Sequence, residues 1–442
     1  MLPDELNLGL GWAYRQACVA QLKIIERSPI PQLFISQSLP CWIAPPMPPL
    51  RSSYRSPPPS LEARVRFPLF CSMEMAAGLP VTEDLVVDIL SRLPIKSLCR
   101  SKGVSRAWRD LISHPDNRSK FPHTLVGFFH SSFCCERFPV SALHFINISG
   151  KGRPVISPSF AFLPKHESIV LLDCCNGLLL CHLQAQGAAR YVVCNPTTKK
   201  WAMLPDSGLA VADKMSVARL GFDPAVSSHF HVFEFLEEGS EDMVVALEVY
   251  SSETGGWVHK QIGWADAISF LDPESATVFL NGSLHFVSLV PAIAVVDTEG
   301  ETWRIIPVCD IEDDRLLPDL GFVQQSQGCL HYANFERHGA RFRLVVYVLE
   351  AYGSQEWKLK HSAEASSIFQ GRTSVDLMWS FKWMSIHPEC NLIFFIAGWD
   401  NTLMSYDMDR QQVHVIRILG HDVESQYLPY IPLYSELPEL HI

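Results

Sequence analysis

The feature that most restricts how this chain can fold is a tryptophan that returns at a strand start about every 50 residues. In the first copy, Val193-Cys194 runs through the polar turn Asn195-Pro196-Thr197-Thr198-Lys199-Lys200 into Trp201. The same order comes back from Val249-Tyr250 to Trp257, from Val295-Val296-Asp297 to Trp303 and from Tyr347 to Trp357. A degenerate copy runs from Ser405-Tyr406-Asp407 to Val413. A second half-motif, a tight turn and then an apolar strand, stands at Asn176-Gly177-Leu178, Asn281-Gly282-Ser283 and Gln327-Gly328-Cys329. Asn-Gly is a strong hairpin signal because both residues accept positive φ. Short β-prone runs at even spacing are compatible with a sandwich, a barrel or a propeller, and a repeat of this length selects four-stranded propeller blades. Residues 124–442 have room for roughly six of them. A tryptophan at blade period is expected to pack the core rather than to contact a ligand.

Ahead of the repeats lies a helical stretch, Leu79 to Pro115. Thr82 is placed to cap a helix, and Glu83 and Asp84 suit the positive end of its dipole. Leu85, Val86, Ile89, Leu90 and Leu93 recur at helical spacing. Pro94 ends that helix and can begin another, with Ile95, Leu98 and Cys99 as its apolar side. Gly103 breaks it, and Val104, Trp108, Leu111 and Ile112 define a third helix that stops near His114-Pro115. Three such short helices make a marginal core. The stretch is therefore either a satellite packed on the rest of the chain or a plug whose surplus apolar surface docks on another protein.

The order of residues in this stretch resembles the F-box. The match runs from Leu79-Pro80 and the acidic pair before Leu85, through Ile89-Leu90-Ser91-Arg92-Leu93-Pro94 and Lys96-Ser97-Leu98. It ends at Val104-Ser105-Arg106-Ala107-Trp108-Arg109-Asp110-Leu111-Ile112. The resemblance implies binding to a Skp-family adaptor and, through it, to a cullin-based ubiquitin ligase. It puts the adaptor contacts on Leu79, Pro80, Leu85, Ile89, Leu93, Pro94, Leu98, Val104 and Trp108, some of which must instead pack internally. Ser101 and Gly103 depart from the usual pattern. Gly103 weakens a helix by about 1 kcal/mol relative to alanine, so reduced adaptor affinity is expected. The β-rich part resembles the domain that follows many plant F-boxes, through Cys174-Cys175-Asn176-Gly177-Leu178, the Asn195 to Trp201 turn with Leu204-Pro205, and Gly221-Phe222-Asp223-Pro224. The expected fold class is α+β and multidomain. A disordered proline-rich leader (1–74) precedes a three-helix F-box (76–118) and an all-β, kelch-like propeller (124–442).

The composition fits a core of that size, with 48% hydrophobic and 19% charged residues in 442. A net charge of −11 argues against a broad nucleic-acid surface. No apolar run is long enough for a membrane helix, and Asp4 and Glu5 stand where a secretory signal would be basic. The 13 cysteines are odd in number and form no Cys-x-x-Cys, which points to reduced thiols in the cytoplasm or nucleus. In that setting Asn147-Ile148-Ser149 and Asn281-Gly282-Ser283 would stay unglycosylated. The prolines of 40–59 cannot build a core. The abrupt change of composition before Met73 and Met75 suggests that the native chain starts there, a proline-rich docking arm being the alternative.

No phosphate-binding glycine loop, His-Glu-x-x-His or Gly-x-Ser-x-Gly is present, and no cofactor is expected. His229 and His231 share one face of a strand but do not define a metal site. Glu234, Glu237, Glu238, Glu241 and Asp242 are expected to form one acidic loop, and Glu312, Asp313 and Asp314 another. Such loops are usually solvated, or they flank the propeller mouth and select a basic partner. The reading is a non-enzymatic receptor that holds a target protein near a transferase, with catalysis by proximity. The rivals are a kelch-type propeller enzyme or carbohydrate-binding protein, and an F-box cofactor acting outside the ligase.

Overall fold

A computed structural model describes residues 82–93, 101, 104–114, 117, 120, 124–133, 141–185, 187–208, 215–238, 243–261, 270, 275–288, 292–308, 316–317, 321–339, 341–354, 356–369, 381–420 and 423–440. Six antiparallel sheets follow one another along the chain. Blade 2 is β3 (Ser168–Cys175), β4 (Leu178–Ala185), β5 (Ala188–Asn195) and β6 (Lys200–Met203). Blade 3 is β7 (Met215–Phe222), β8 (Phe230–Glu238), β9 (Met243–Ser251) and β10 (Gly256–Gln261). Blade 4 is β11 (Val278–Leu280), β12 (Ser283–Val287), β13 (Ala292–Asp297) and β14 (Trp303–Pro307). Blade 5 is β15 (Phe322–Ser326), β16 (Cys329–His338), β17 (Arg341–Leu349) and β18 (Lys358–Glu364). Blade 6 is β19 (Lys382–Ile386), β20 (Leu392–Ala397), β21 (Thr402–Asp407) and β22 (Gln412–Ile418).

The first strand of each of these blades touches the first strand of the next, so these strands line the axis. Blade 1 is built differently. Its β1 (Gly127–Phe133) and β2 (Ser141–Asn147) come from before the other blades, and its axial strand is β23 (Val423–Tyr430) from after them. Gly127 stands opposite Tyr430, and Phe129 opposite Leu428. Joining early and late strands in one sheet closes the ring and removes the two edges an open array would leave.

Both faces of a blade are covered by its neighbours, so the strands read as near-continuous apolar runs. Along β4, Leu179, Cys181 and Leu183 pack toward blade 1, while Leu178 and Leu180 pack toward blade 3. This is the two-residue alternation of a strand with both sides buried. The repeating tryptophans have the role expected of them. Trp201 packs on the core between blades 1 and 2, Trp257 between 2 and 3, Trp303 between 3 and 4, and Trp357 between 4 and 5. Val413 takes that place between blades 5 and 6. The hairpin turns also follow the sequence: Asn176 has φ 46° and Gly177 φ 89°, Asn281 φ 52° and Gly282 φ 72°.

After β23 the chain crosses under blades 2 and 3, where Leu433, Leu437 and Leu440 are buried. The turn at Asn195 serves this tail. Its Oδ1 accepts from the Thr197 amide at 2.9 Å, its Nδ2 donates to the Leu433 carbonyl at 2.9 Å, and the hydroxyls of Thr197 and Tyr430 meet at 2.9 Å.

Of the helical stretch, α1 (Glu83–Ser91) and α2 (Arg106–Ser113) are described, with a helical Ser101 between them. The second expected helix over Ile95–Cys99, Gly103 and the leader 1–74 lie outside the described residues. Thr82 is the N-cap of α1, but its side chain makes no capping bond, a correction to the expectation from sequence. Helix α2 does have a side-chain cap, Ser105, which accepts from the Trp108 amide at 3.1 Å. Among the described residues no helix is long and apolar enough to cross a membrane. A short α3 (Ala365–Ile368) follows blade 5.

Candidate functional site

Helix α1 carries apolar residues on more than one side. Val87 and Leu90 turn inward and meet Ile112 of α2 in a small core. Val86, Leu93, Trp108 and Leu111 pack around it. Leu85 and Ile89, one turn apart on the remaining side, stay 48% and 51% exposed, and Val104 stays 66% exposed. Periodicity alone merges two stripes and passes over Val87. The structure separates them: Leu93 and Trp108 lean on the internal core, while Leu85, Ile89 and Val104 face outward. Leu79, Pro80, Pro94 and Leu98 lie outside the described residues. The Asp88–Arg92 ion pair, at 2.7 Å with both partners exposed, adds only a few tenths of a kcal/mol.

Among the described residues three buried aliphatic side chains form this core, and two further ones beside them face water. The Leu-Ile pair is an exposed apolar strip one helical turn long.

The propeller offers two unlike ends. Turns between first and second strands, and between third and fourth, lie at one end with the C-terminal tail. At the other end each outermost strand finishes and the next axial strand begins. The turn 398–401 of blade 6 points to the same end, and Trp399 there is 72% exposed. A large aromatic left in water is the type of side chain that dominates protein interfaces. Nothing in the repeat pattern singled it out.

Glu234, Glu237 and Glu238 of the expected acidic loop belong to a strand instead. Glu234 and Glu237 lie within β8, 5% and 4% exposed, because both faces of that strand are covered by neighbouring blades. Glu234 accepts a 2.8 Å hydrogen bond from the Tyr191 hydroxyl of blade 2. Glu241, Asp242, Glu312, Asp313 and Asp314 lie outside the described residues. The two histidines that flank Phe230 have separate tasks: His229 reaches Glu439 of the tail at 3.0 Å, and His231 stacks on Phe279 of blade 4.

Near the axis, Asp173 ties three blades together. Its Oδ2 accepts from the Leu220 amide of blade 3 at 2.8 Å and from the Thr277 hydroxyl beside blade 4 at 3.4 Å, and its Oδ1 accepts from the Cys174 amide at 2.8 Å. Burial raises its pKa, while Arg219 and these hydrogen bonds hold it down. The carboxylate is buried and bolts the three blades together. Cys174, Cys175, Cys181, Cys194, Cys329 and Cys390 are free thiols. Burial pushes the Cys174, Cys175 and Cys194 thiols up, away from the nucleophilic thiolate. Among the described residues no group of three or more His, Cys, Asp or Glu could hold a metal ion.

Comparison with known proteins places both parts. Residues 82–120 match the model of the F-box domain, and residues 154–427 match the model of the F-box protein At3g26010-like β-propeller. F-box protein At5g07610 of Arabidopsis thaliana is 30% identical over 304 residues, covering 64% of this chain and 70% of that protein. F-box protein At5g49610 of the same plant is 27% identical over 254 residues (54% and 67%). The F-box/kelch-repeat protein At3g23880, also from Arabidopsis, is 22% identical over 294 residues (64% and 76%).

Proposed function

The chain belongs to the F-box proteins that carry a β-propeller, and from that membership we propose that it is the substrate-recognition subunit of a Skp-cullin-F-box ubiquitin ligase. Its helical stretch docks on a Skp-family adaptor and, through it, on a cullin. The propeller holds a target protein at the end that carries Trp399. The chain contributes no reacting group; binding raises the effective concentration of the target beside the transferase. Its partners are proteins rather than nucleic acids or membranes, and it works in the cytoplasm or the nucleus.

The observation that carries this reading is the outward pair Leu85 and Ile89 on a helix whose inner side is already used. The test is co-expression of the full chain with a Skp-family adaptor and a cullin, followed by size-exclusion chromatography. Co-elution of all three is expected. A chain that elutes alone at micromolar concentration overturns the proposal.

A further inference from the structure

On the end of the propeller that carries the tight turns, a groove of about 1210 Å³ runs between α2 and the rims of blades 1 and 2. Its lining includes the apolar Leu125, Val126 and Ile156. Four cations also line it: Arg109 of α2, Lys151 and Arg153 of the link after β2, and Lys199 of the blade 2 turn. None of the four side chains forms an ion pair with a described residue. The one carboxylate among the described lining residues, Glu436, is neutralised by Lys200 at 3.2 Å. In a chain of net charge −11, this is a local concentration of positive charge.

The cationic wall is built rather than incidental. Asn147, 9% exposed, donates from Nδ2 to the carbonyls of Lys151 and Arg153, both at 2.9 Å. Its Oδ1 accepts from the Val155 amide, also at 2.9 Å. One buried side chain thus fixes the backbone under both cations. Gly150 sits at φ +66°, where a Cβ would meet the Ile416 carbonyl at 2.3 Å, so the link is seated against blade 6 as well.

We propose that this groove binds an acidic peptide segment of a partner protein, with apolar side chains on its floor and carboxylates against Lys151, Arg153, Arg109 and Lys199. The volume exceeds the roughly 300–1,000 Å³ typical of small-molecule sites, which favours an extended segment over a compact metabolite. Single-stranded nucleic acid would need stacked aromatic platforms, and Tyr434 is the one aromatic among the described lining residues. The site lies at the opposite end from Trp399 and does not depend on the ligase reading.

The test uses the full chain and a short fluorescein-labelled peptide of alternating glutamate and leucine, read by fluorescence anisotropy. Saturable binding that weakens with added sodium chloride is expected. The double variant Lys151→Glu/Arg153→Glu should lose roughly tenfold or more in affinity. Both residues are exposed, so its thermal unfolding should match that of the wild type. Three results each overturn the proposal: equal binding of the matching lysine-leucine peptide, tighter binding of oligothymidylate, or an affinity unchanged by the charge reversal.

Discussion

The outward stripe on α1 makes a quantitative prediction for the pair Leu85→Ala and Ile89→Ala. Fully burying a leucine or isoleucine is worth about 1.5–3 kcal/mol. Leu85 and Ile89 are already half covered, at 48% and 51% exposure, so docking on an adaptor gains about 1 kcal/mol from each. Losing both should cost about 2 kcal/mol, or roughly 30-fold in Kd. Neither residue belongs to the core of Val87, Leu90 and Ile112, so the double variant should remain folded. Leu90→Ala is the contrast: Leu90 is 0% exposed, and its truncation should cost about 2–5 kcal/mol of local stability. Isothermal titration calorimetry of the full chain against a Skp-family adaptor measures the first effect, and circular dichroism at the helical minimum checks the fold. A folded double variant with Kd within threefold of wild type would refute the argument that this side of α1 is the docking stripe.

Other expectations follow from the propeller. Trp399→Ala should change the unfolding free energy by no more than about 0.5 kcal/mol, since the ring is largely in water; in affinity purification it should lose the targets that the wild type enriches while retaining the adaptor. Gly177→Ala forces a Cβ to within 2.5 Å of Leu433 Cβ and 2.6 Å of the Ile431 carbonyl at φ +89°, so it should cost about 2 kcal/mol or more in urea denaturation. Gly282→Ala, with open space at φ +72°, should cost only the left-handed backbone penalty of about 1–2 kcal/mol. Acidification should destabilise the ring. Burial lowers His285 and His331 from 6.5 to about 4, so the unfolded chain takes up protons first as pH falls below 6.5. The stability these neutral imidazoles hold above pH 6.5 is lost as pH drops toward 4, by about 2 kcal/mol apiece at pH 5. A urea midpoint unchanged between pH 7 and pH 5 would contradict it.

Much of the ring was legible because each blade repeats one local problem. An Asn-Gly pair must turn, an apolar strand must be covered on both sides, and a bulky ring must fill the gap to the preceding blade. Trp201, Trp257, Trp303 and Trp357 carry that solution wherever they stand. The acidic run at Glu234 was misread because a carboxylate in sequence looks the same whether water or a neighbouring blade faces it; Tyr191, 43 residues earlier, decides which. The capping of the helical stretch was misread for a related reason. Thr82 and Ser105 begin different helices, and only the local backbone decides whether each hydroxyl reaches an amide.

Local chemistry determined the blades and the helical stretch, since turn preference and side-chain period act over a few neighbouring residues. Ring closure through Gly127 and Tyr430, the seating of the tail on Asn195 and the bolt at Asp173 were decided only in three dimensions. So was the division of α1 into an inner side at Val87 and Leu90 and an outer one at Leu85 and Ile89. Each of these depends on which distant residue arrives opposite, and burial is a property of that meeting rather than of either residue alone.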